Sequence, residues 1–111
     1  MLFFEPHELN TPSCSVRFSA KDGETTLGFC DLLLHDSLAD VVSIRLDTDD
    51  LTIGEGLFRA AFNYAANRGY YIGCCSAPDC DAVRSAMPFV CKDGVWQGDL
   101  PSLLAGTCGK N

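Results

Sequence analysis

Residues 52–69, Thr-Ile-Gly-Glu-Gly-Leu-Phe-Arg-Ala-Ala-Phe-Asn-Tyr-Ala-Ala-Asn-Arg-Gly, constrain the fold of this chain more than any other stretch. Thr52 is placed to accept from the amide three residues on while Glu55 reaches back, the pattern of a capping box. Gly69 closes the other end, because glycine enters the left-handed cap without a Cβ clash. Between these marks Ile53, Leu57, Ala61, Tyr64 and Ala65 recur on one helical face, and Phe58 and Phe62 widen it. So broad an apolar stripe predicts a helix lying on a sheet. A β-branched run at residues 41–46 precedes the helix and a strand-like run at residues 70–75 follows it. Strand, helix and strand at this spacing predict a right-handed parallel crossover, the only such unit in the chain.

The flanking segments predict antiparallel structure. Residues 14–19 alternate as a half-exposed strand, residues 21–24 turn the chain, and residues 25–34 pair back as the second arm of a hairpin. Gly28 inside that arm predicts a bulge or a close backbone contact. Residues 35–40 read as a polar connection into the strand at residues 41–46, where Arg45 must reach an edge or a carboxylate. After residue 75, Pro78 and Pro88 bracket a second helix over residues 79–87. Asp93 and Gly94 then mark a hairpin between residues 89–92 and 95–98. Residues 1–13, with Pro6 and Pro12 and no period, read as an extended arm, and residues 100–111 as a tail.

A net charge of −7 argues against a nucleic acid or an anionic membrane as partner. Residues 1–4 are too short for an export signal, which places the chain in the cytoplasm. Seven cysteines, an odd number with no two-residue spacing, fit reduced and mostly buried thiols, Cys30, Cys74, Cys75 and Cys91 lying in apolar runs. A metal or disulfide at the loop of Cys75 and Cys80, or a reactive thiol at Cys108, is the alternative.

Leu51-Thr52-Ile53-Gly54-Glu55-Gly56 resembles the pyrophosphate loop of the GNAT N-acetyltransferase superfamily, written Gln/Arg-x-x-Gly-x-Gly/Ala. Gly54 and Gly56 match, and Leu51 stands where the family has Gln or Arg. The resemblance extends over about residues 14–97. It implies an α+β fold, a single GNAT-like domain over residues 1–111, with a mixed, mostly antiparallel sheet of about five or six strands and two helices. It further implies acetyl-CoA or coenzyme A as cofactor, held at Leu46, Asp47, Leu51, Thr52, Ile53, Gly54, Glu55, Gly56 and Leu57. The acyl-pantetheine arm would lie between residues 44–46 and residues 72–74. Free amides and the dipole at a helix start suit a diphosphate without lysine. Glycines that serve only helix–sheet packing are the other reading of the same loop.

In the family about two helices and a strand come before the hairpin and build much of the acceptor side, where this chain has residues 1–13. The tyrosine that many members use as general acid has no counterpart in residues 82–89. Two functions therefore stand side by side. One is an acyl-CoA-dependent N-acyltransferase acting on a small-molecule or protein amine, its base unassigned, with Asp47, Asp49 and Asp50 as candidates. The other is a non-catalytic interaction or regulatory domain. A thiol redox or metal protein is a third. Leu2, Phe3, Phe4, Trp96, Leu103 and Leu104 in terminal segments predict a homodimer that covers them.

Overall fold

The computed structural model describes residues 1–78 and 87–105, with the backbone alone at Ala105. Seven strands are present among the described residues: β1 (Leu2–Thr11), β2 (Cys14–Asp22), β3 (Thr25–His35), β4 (Leu38–Leu46), β5 (Ile72–Cys75), β6 (Val90–Lys92) and β7 (Val95–Asp99). Helix α1 (Leu51–Ala66) joins β4 to β5, and a short helix α2 (Leu100–Ala105) follows β7. The strands form one sheet in the order β1-β2-β3-β4-β5-β7-β6. Only β4 and β5 are parallel, in register from Leu38 opposite Ile72 to Val41 opposite Cys75. Fold class and crossover agree with the sequence. The helix expected over residues 79–87 lies outside the described residues except at Met87.

Three expectations need correction. The arm at residues 1–13 is largely β1, paired with β2 from Leu2 opposite Asp22 to Glu8 opposite Val16, which raises the strand count from five or six to seven. Pro6 obscured it in the sequence. A proline is tolerated there because β1 is an edge strand, where a missing N–H breaks no ladder. The polar connection at residues 35–40 contracts to a turn at Asp36 and Ser37, so that Leu38, Ala39 and Asp40 belong to β4. Asp36 makes that turn possible with a left-handed φ of 53°. Strand β5 starts at Ile72, two residues later than expected.

The core forms because α1 buries Ile53, Leu57, Phe58, Ala61, Phe62 and Ala65 on one face of the sheet, the predicted stripe apart from Tyr64, which is half-buried and donates its hydroxyl to Glu8. Phe58 and Phe62 stack at 6.1 Å, and Phe89 meets both edge-on at about 6 Å. Leu100 and Leu103 of α2 are fully buried. They close over Gly73 on the same sheet face as Phe62, since a Cβ built at Gly73 would meet all three side chains. Both described helices therefore share one face.

The terminal apolar residues are mostly used within the chain. Phe4 packs on α1 at Gly56, and Leu103 is buried. Only Leu2 and Phe3 of the six remain exposed, joined on β1 by Leu9. Of the thiols placed in apolar runs, Cys30, Cys74 and Cys75 are buried as expected, while Cys91 is exposed on the short strand β6, against expectation; Cys14 is buried as well.

Candidate functional site

The parallel ladder between β4 and β5 stops in the middle of β4. Val41 is the last residue of β4 with a β5 partner, and its carbonyl takes hydrogen bonds from the amides of both Ser76 and Ala77, each at 3.1 Å. Beyond it β4 runs on to Leu46 paired with β3 alone among the described strands. The register supplies the cause: Leu32 faces Val41 and Asp31 faces Ser43, so Val42 is an extra residue on β4. An extra residue of this kind bends its strand and increases the local twist. The sheet is forked, and Ser43, Ile44, Arg45 and Leu46 form one prong. The sequence resemblance set residues 72–74 across from residues 44–46. The register corrects this, because Ile72, Gly73 and Cys74 pair with Leu38, Ala39 and Asp40, below the fork.

The free prong is held from its other side. Arg17 grips Asp31 with Nε at 2.6 Å and Nη2 at 3.0 Å, and Ser43 Oγ donates to the same carboxylate at 2.9 Å. Burial alone would raise the Asp31 pKa, but the hydrogen bonds from Arg17 and Ser43 outweigh it and hold the carboxyl below its ordinary value. At the prong's tip the backbone approach is close: a Cβ built at Gly28 lies 2.5 Å from the Arg45 carbonyl oxygen. The close contact expected at Gly28 is thus present, next to an irregularity in the β2 and β3 register. Arg45 reaches the carboxylate it needs, Asp47 at 3.2 Å.

Four residues after the prong, α1 begins with Asp50 as its N-cap. This corrects the capping box, which assigned the cap to Thr52. Asp50 Oδ1 accepts from the Thr52 amide at 3.0 Å and from the Thr52 hydroxyl at 2.6 Å. Both bonds lower the Asp50 pKa. Glu55 does not reach back; its carboxylate pairs with Arg59 at 3.3 Å, one turn along the helix. The cap moved because Asp50, two residues before Thr52, takes the Thr52 amide to which Glu55 would have reached back. At the far end Gly69 takes the left-handed conformation, φ 90°, as the sequence required.

The loop residues have different surroundings. Leu51 and Thr52 are exposed at the helix start, and Leu46 is half-buried at the end of β4. Ile53, Gly54 and Leu57 are buried toward the core. Gly56 has a packing task, since a Cβ there would collide with the Phe4 ring of β1. Of the first-turn amides, Thr52 is taken by the Asp50 side chain and Ile53 by the Asp50 carbonyl at 3.1 Å.

A polar cluster that the sequence did not disclose sits at the base of the fork. Asp40 Oδ1 accepts from the Ser76 amide at 3.1 Å, and the Ser76 hydroxyl lies 2.9 Å from Oδ2. Cys74 is beside it, and burial together with the Asp40 charge pushes its thiol up to about 12. Because Ala39 and Val41 are core residues, strand alternation sends Asp40 and Cys74 to the face opposite the helices. Residues 35–40 gave no strand period that could have revealed this.

No protein-family model and no curated protein sequence matches the chain. Solved structures similar to it in backbone include two N-acetyltransferase structures. One is the PaiA N-acetyltransferase from Thermoplasma acidophilum in complex with coenzyme A, at 15% identity and a TM-score of 0.62, over 75% of this chain and 59% of that one. The other is the solution NMR structure of the putative N-acetyltransferase YhhK from E. coli bound to coenzyme A, at 18% identity and a TM-score of 0.63, over 86% of this chain and 79% of that one. The fold is GNAT-like.

This GNAT-like fold differs at its start from the family pattern that the sequence resembles. Residues 1–13, read as an extended arm, hold β1, and a turn at residues 12 and 13 joins it directly to β2. Thr11 Oγ1 fastens that turn by bonding the amide and the carbonyl of Cys14, at 3.0 Å and 2.9 Å. The chain spans 59% of the length of the Thermoplasma protein. Among the described residues no group of three His, Cys, Asp or Glu could hold a metal ion, and no helix is long and apolar enough to cross a membrane. Cys80 and Cys108, the other half of the thiol reading, lie outside the described residues.

Proposed function

We propose that this chain binds an acyl-coenzyme A at the fork and transfers the acyl group to an amine. The observation that carries the reading is the fork itself: one strand edge with no strand partner among the described residues, followed after four residues by a helix N-terminus. An extended pantetheine arm with its two amides can bond a free strand edge as a further strand would. The diphosphate would then lie at the start of α1, where Leu51 and Thr52 are exposed and the helix dipole favours negative charge. Leu46, Asp47, Leu51, Thr52, Ile53, Gly54, Glu55, Gly56 and Leu57 surround that position, Ile53, Gly54, Gly56 and Leu57 shaping the helix rather than offering side chains. A free N–H on the prong ending at Leu46 would stabilise the oxyanion of the attacked thioester. Binding of coenzyme A by both structural neighbours supports the choice of ligand. The three aspartates at residues 47, 49 and 50 oppose the anion and set the affinity low.

Titration calorimetry with acetyl-CoA tests this directly. Saturable heat is expected, and no heat at millimolar ligand overturns the reading. A second reading, an interaction domain without turnover, is favoured by the two-residue link between β1 and β2, which leaves no chain there to enclose an acceptor. It predicts binding with no thioester consumption. A homodimer in the cytoplasm through Leu2, Phe3 and Leu9 remains part of the proposal, and light scattering decides it.

A further inference from the structure

We propose that the end of the sheet opposite the fork carries a second binding site, which takes a small zwitterion of the α-amino acid class by its carboxylate and its ammonium group. The site is the cavity between the turn that joins β3 to β4 and the loop that leaves α1, lined by Asp36, Ser37, Arg68, Gly69 and Tyr70. The Ile72 amide donates to the Ser37 carbonyl at 3.3 Å and ties the two walls together. Beside it lies the first rung of the parallel ladder, Leu38 opposite Ile72, whereas the strands part beyond Val41. This cavity and the coenzyme position therefore stand at opposite ends of β4, and the proposal does not depend on the coenzyme reading.

Two opposite charges line the cavity without pairing with each other. Among the described residues Asp36 has His35 as its ion-pair neighbour, at 3.7 Å, and Arg68 has Glu8, at 3.9 Å. Arg68 is held in one orientation: its guanidinium lies 3.4 Å from the centre of the Tyr64 ring, and Nη1 donates to the Tyr64 carbonyl at 3.3 Å. That bond uses one of its five N–H groups. Glu8 stands beyond hydrogen-bond distance of Arg68 and accepts the Tyr64 hydroxyl instead. A fixed guanidinium with donors left over suits a carboxylate, which it can hold by two parallel bonds.

The ammonium group goes to the Asp36 carboxylate, on the same side as the C-terminal end of α1, where the helix dipole favours a cation. Open space beside Gly69 lets the ligand approach that end, since a Cβ built there meets nothing within 4 Å. A ligand with one charge leaves the opposite wall unmatched: a bare anion also meets the field of a chain at −7, and a bare cation meets Arg68. The volume, about 260 Å³, lies below the roughly 300–1,000 Å³ of sites for drug-sized ligands and limits the occupant to a small metabolite.

The test is an NMR titration of the full chain that follows the backbone amides of residues 36, 37 and 68–70. L-serine and L-glutamine are the probes, with N-acetylserine, which lacks the ammonium, and serinamide, which lacks the carboxylate, as comparisons. Saturable shifts at those amides are expected with a Kd on the order of 1 mM for at least one amino acid, as open and solvent-screened charges allow. Both comparison compounds should bind at least about fivefold more weakly than serine. Arg68→Gln is expected to weaken binding about tenfold through loss of the paired bonds. Asp36→Asn is expected to weaken it about fivefold, and it decides the matter if the Arg68 variant does not fold, because asparagine tolerates the left-handed φ of 53° at that position. No shift with either amino acid up to about 20 mM overturns the proposal. So does a Kd unchanged in Asp36→Asn, or either comparison compound binding as tightly as serine. Shifts confined to residues 43–46 overturn it as well, since they place the amino acid at the fork.

Discussion

The two halves of β4 carry similar residues but stand in different surroundings. Residues 38–41 are flanked by β3 and β5 and have Ala39 and Val41 fully buried. Residues 43–46 pair with β3 alone among the described strands and have no fully buried side chain. The first half is held by burial under α1. The second is held by particular contacts, the Asp31 bond to Ser43 and the tight fit of Gly28 under Arg45. A strand edge with no neighbouring strand among the described residues draws its rigidity from the side already paired.

Changes on that paired side should accordingly have the largest effect. Gly28→Val drives a side chain into the Arg45 carbonyl, which cannot move without its strand; a loss of about 3 kcal/mol in urea unfolding is expected, together with loss of the acetyl-CoA heat. Gly73→Ala is the control in the buried half. Its Cβ meets the movable ends of Leu100 and Leu103, at 2.7 Å and 2.9 Å, and the edge of the Phe62 ring at 3.1 Å, so about 1 kcal/mol is expected with coenzyme affinity kept. Equal effects of the two on affinity would break the distinction between the halves.

Arg17→Ala comes next. It removes the cation from an Asp31 that is only 13% exposed, and about 2 kcal/mol of stability at pH 7 should go, less than for a fully buried pair because Arg17 is 41% exposed. The sign with pH follows from the depressed Asp31 pKa: its stabilisation is complete above the unfolded carboxyl value and is lost as pH falls through the folded one. The gap in urea midpoint between wild type and variant should therefore narrow as pH falls from 7 through the carboxylate range. A gap that does not change with pH would mean that Arg17 acts through its stacking on Phe29, 4.1 Å from the ring centre, instead.

The smallest effect is expected at the helix start. Asp50→Asn keeps a good N-cap and removes one negative charge, so the urea midpoint should scarcely move while acetyl-CoA binds about two- to fivefold tighter. Unchanged affinity would move the diphosphate away from α1.

Much of this was legible in the sequence. The apolar stripe from Ile53 to Ala65, Gly69 as the helix stop, and the hairpin at Asp93 and Gly94 all follow from local patterns, and each is present. Pro6 hid β1, and the polar residues 35–40 hid the first half of β4, because strand pairing is a property of two segments while period is a property of one. Thr52 was a sound cap by pattern but lost to Asp50, an equally good cap two residues earlier.

The sequence by itself determined the order of elements from β2 onward through α1 to β7, the face that α1 buries and the glycine-bearing helix start, because these depend on periodicity and on backbone freedom within a few residues. Only the tertiary structure decided that Gly56 answers to Phe4, that Val42 is the extra residue that forks the sheet, and that Asp40 rather than Asp47 stands at the base of the fork. Each of those depends on a partner far along the chain, and register between distant strands is set by the packing of the whole sheet.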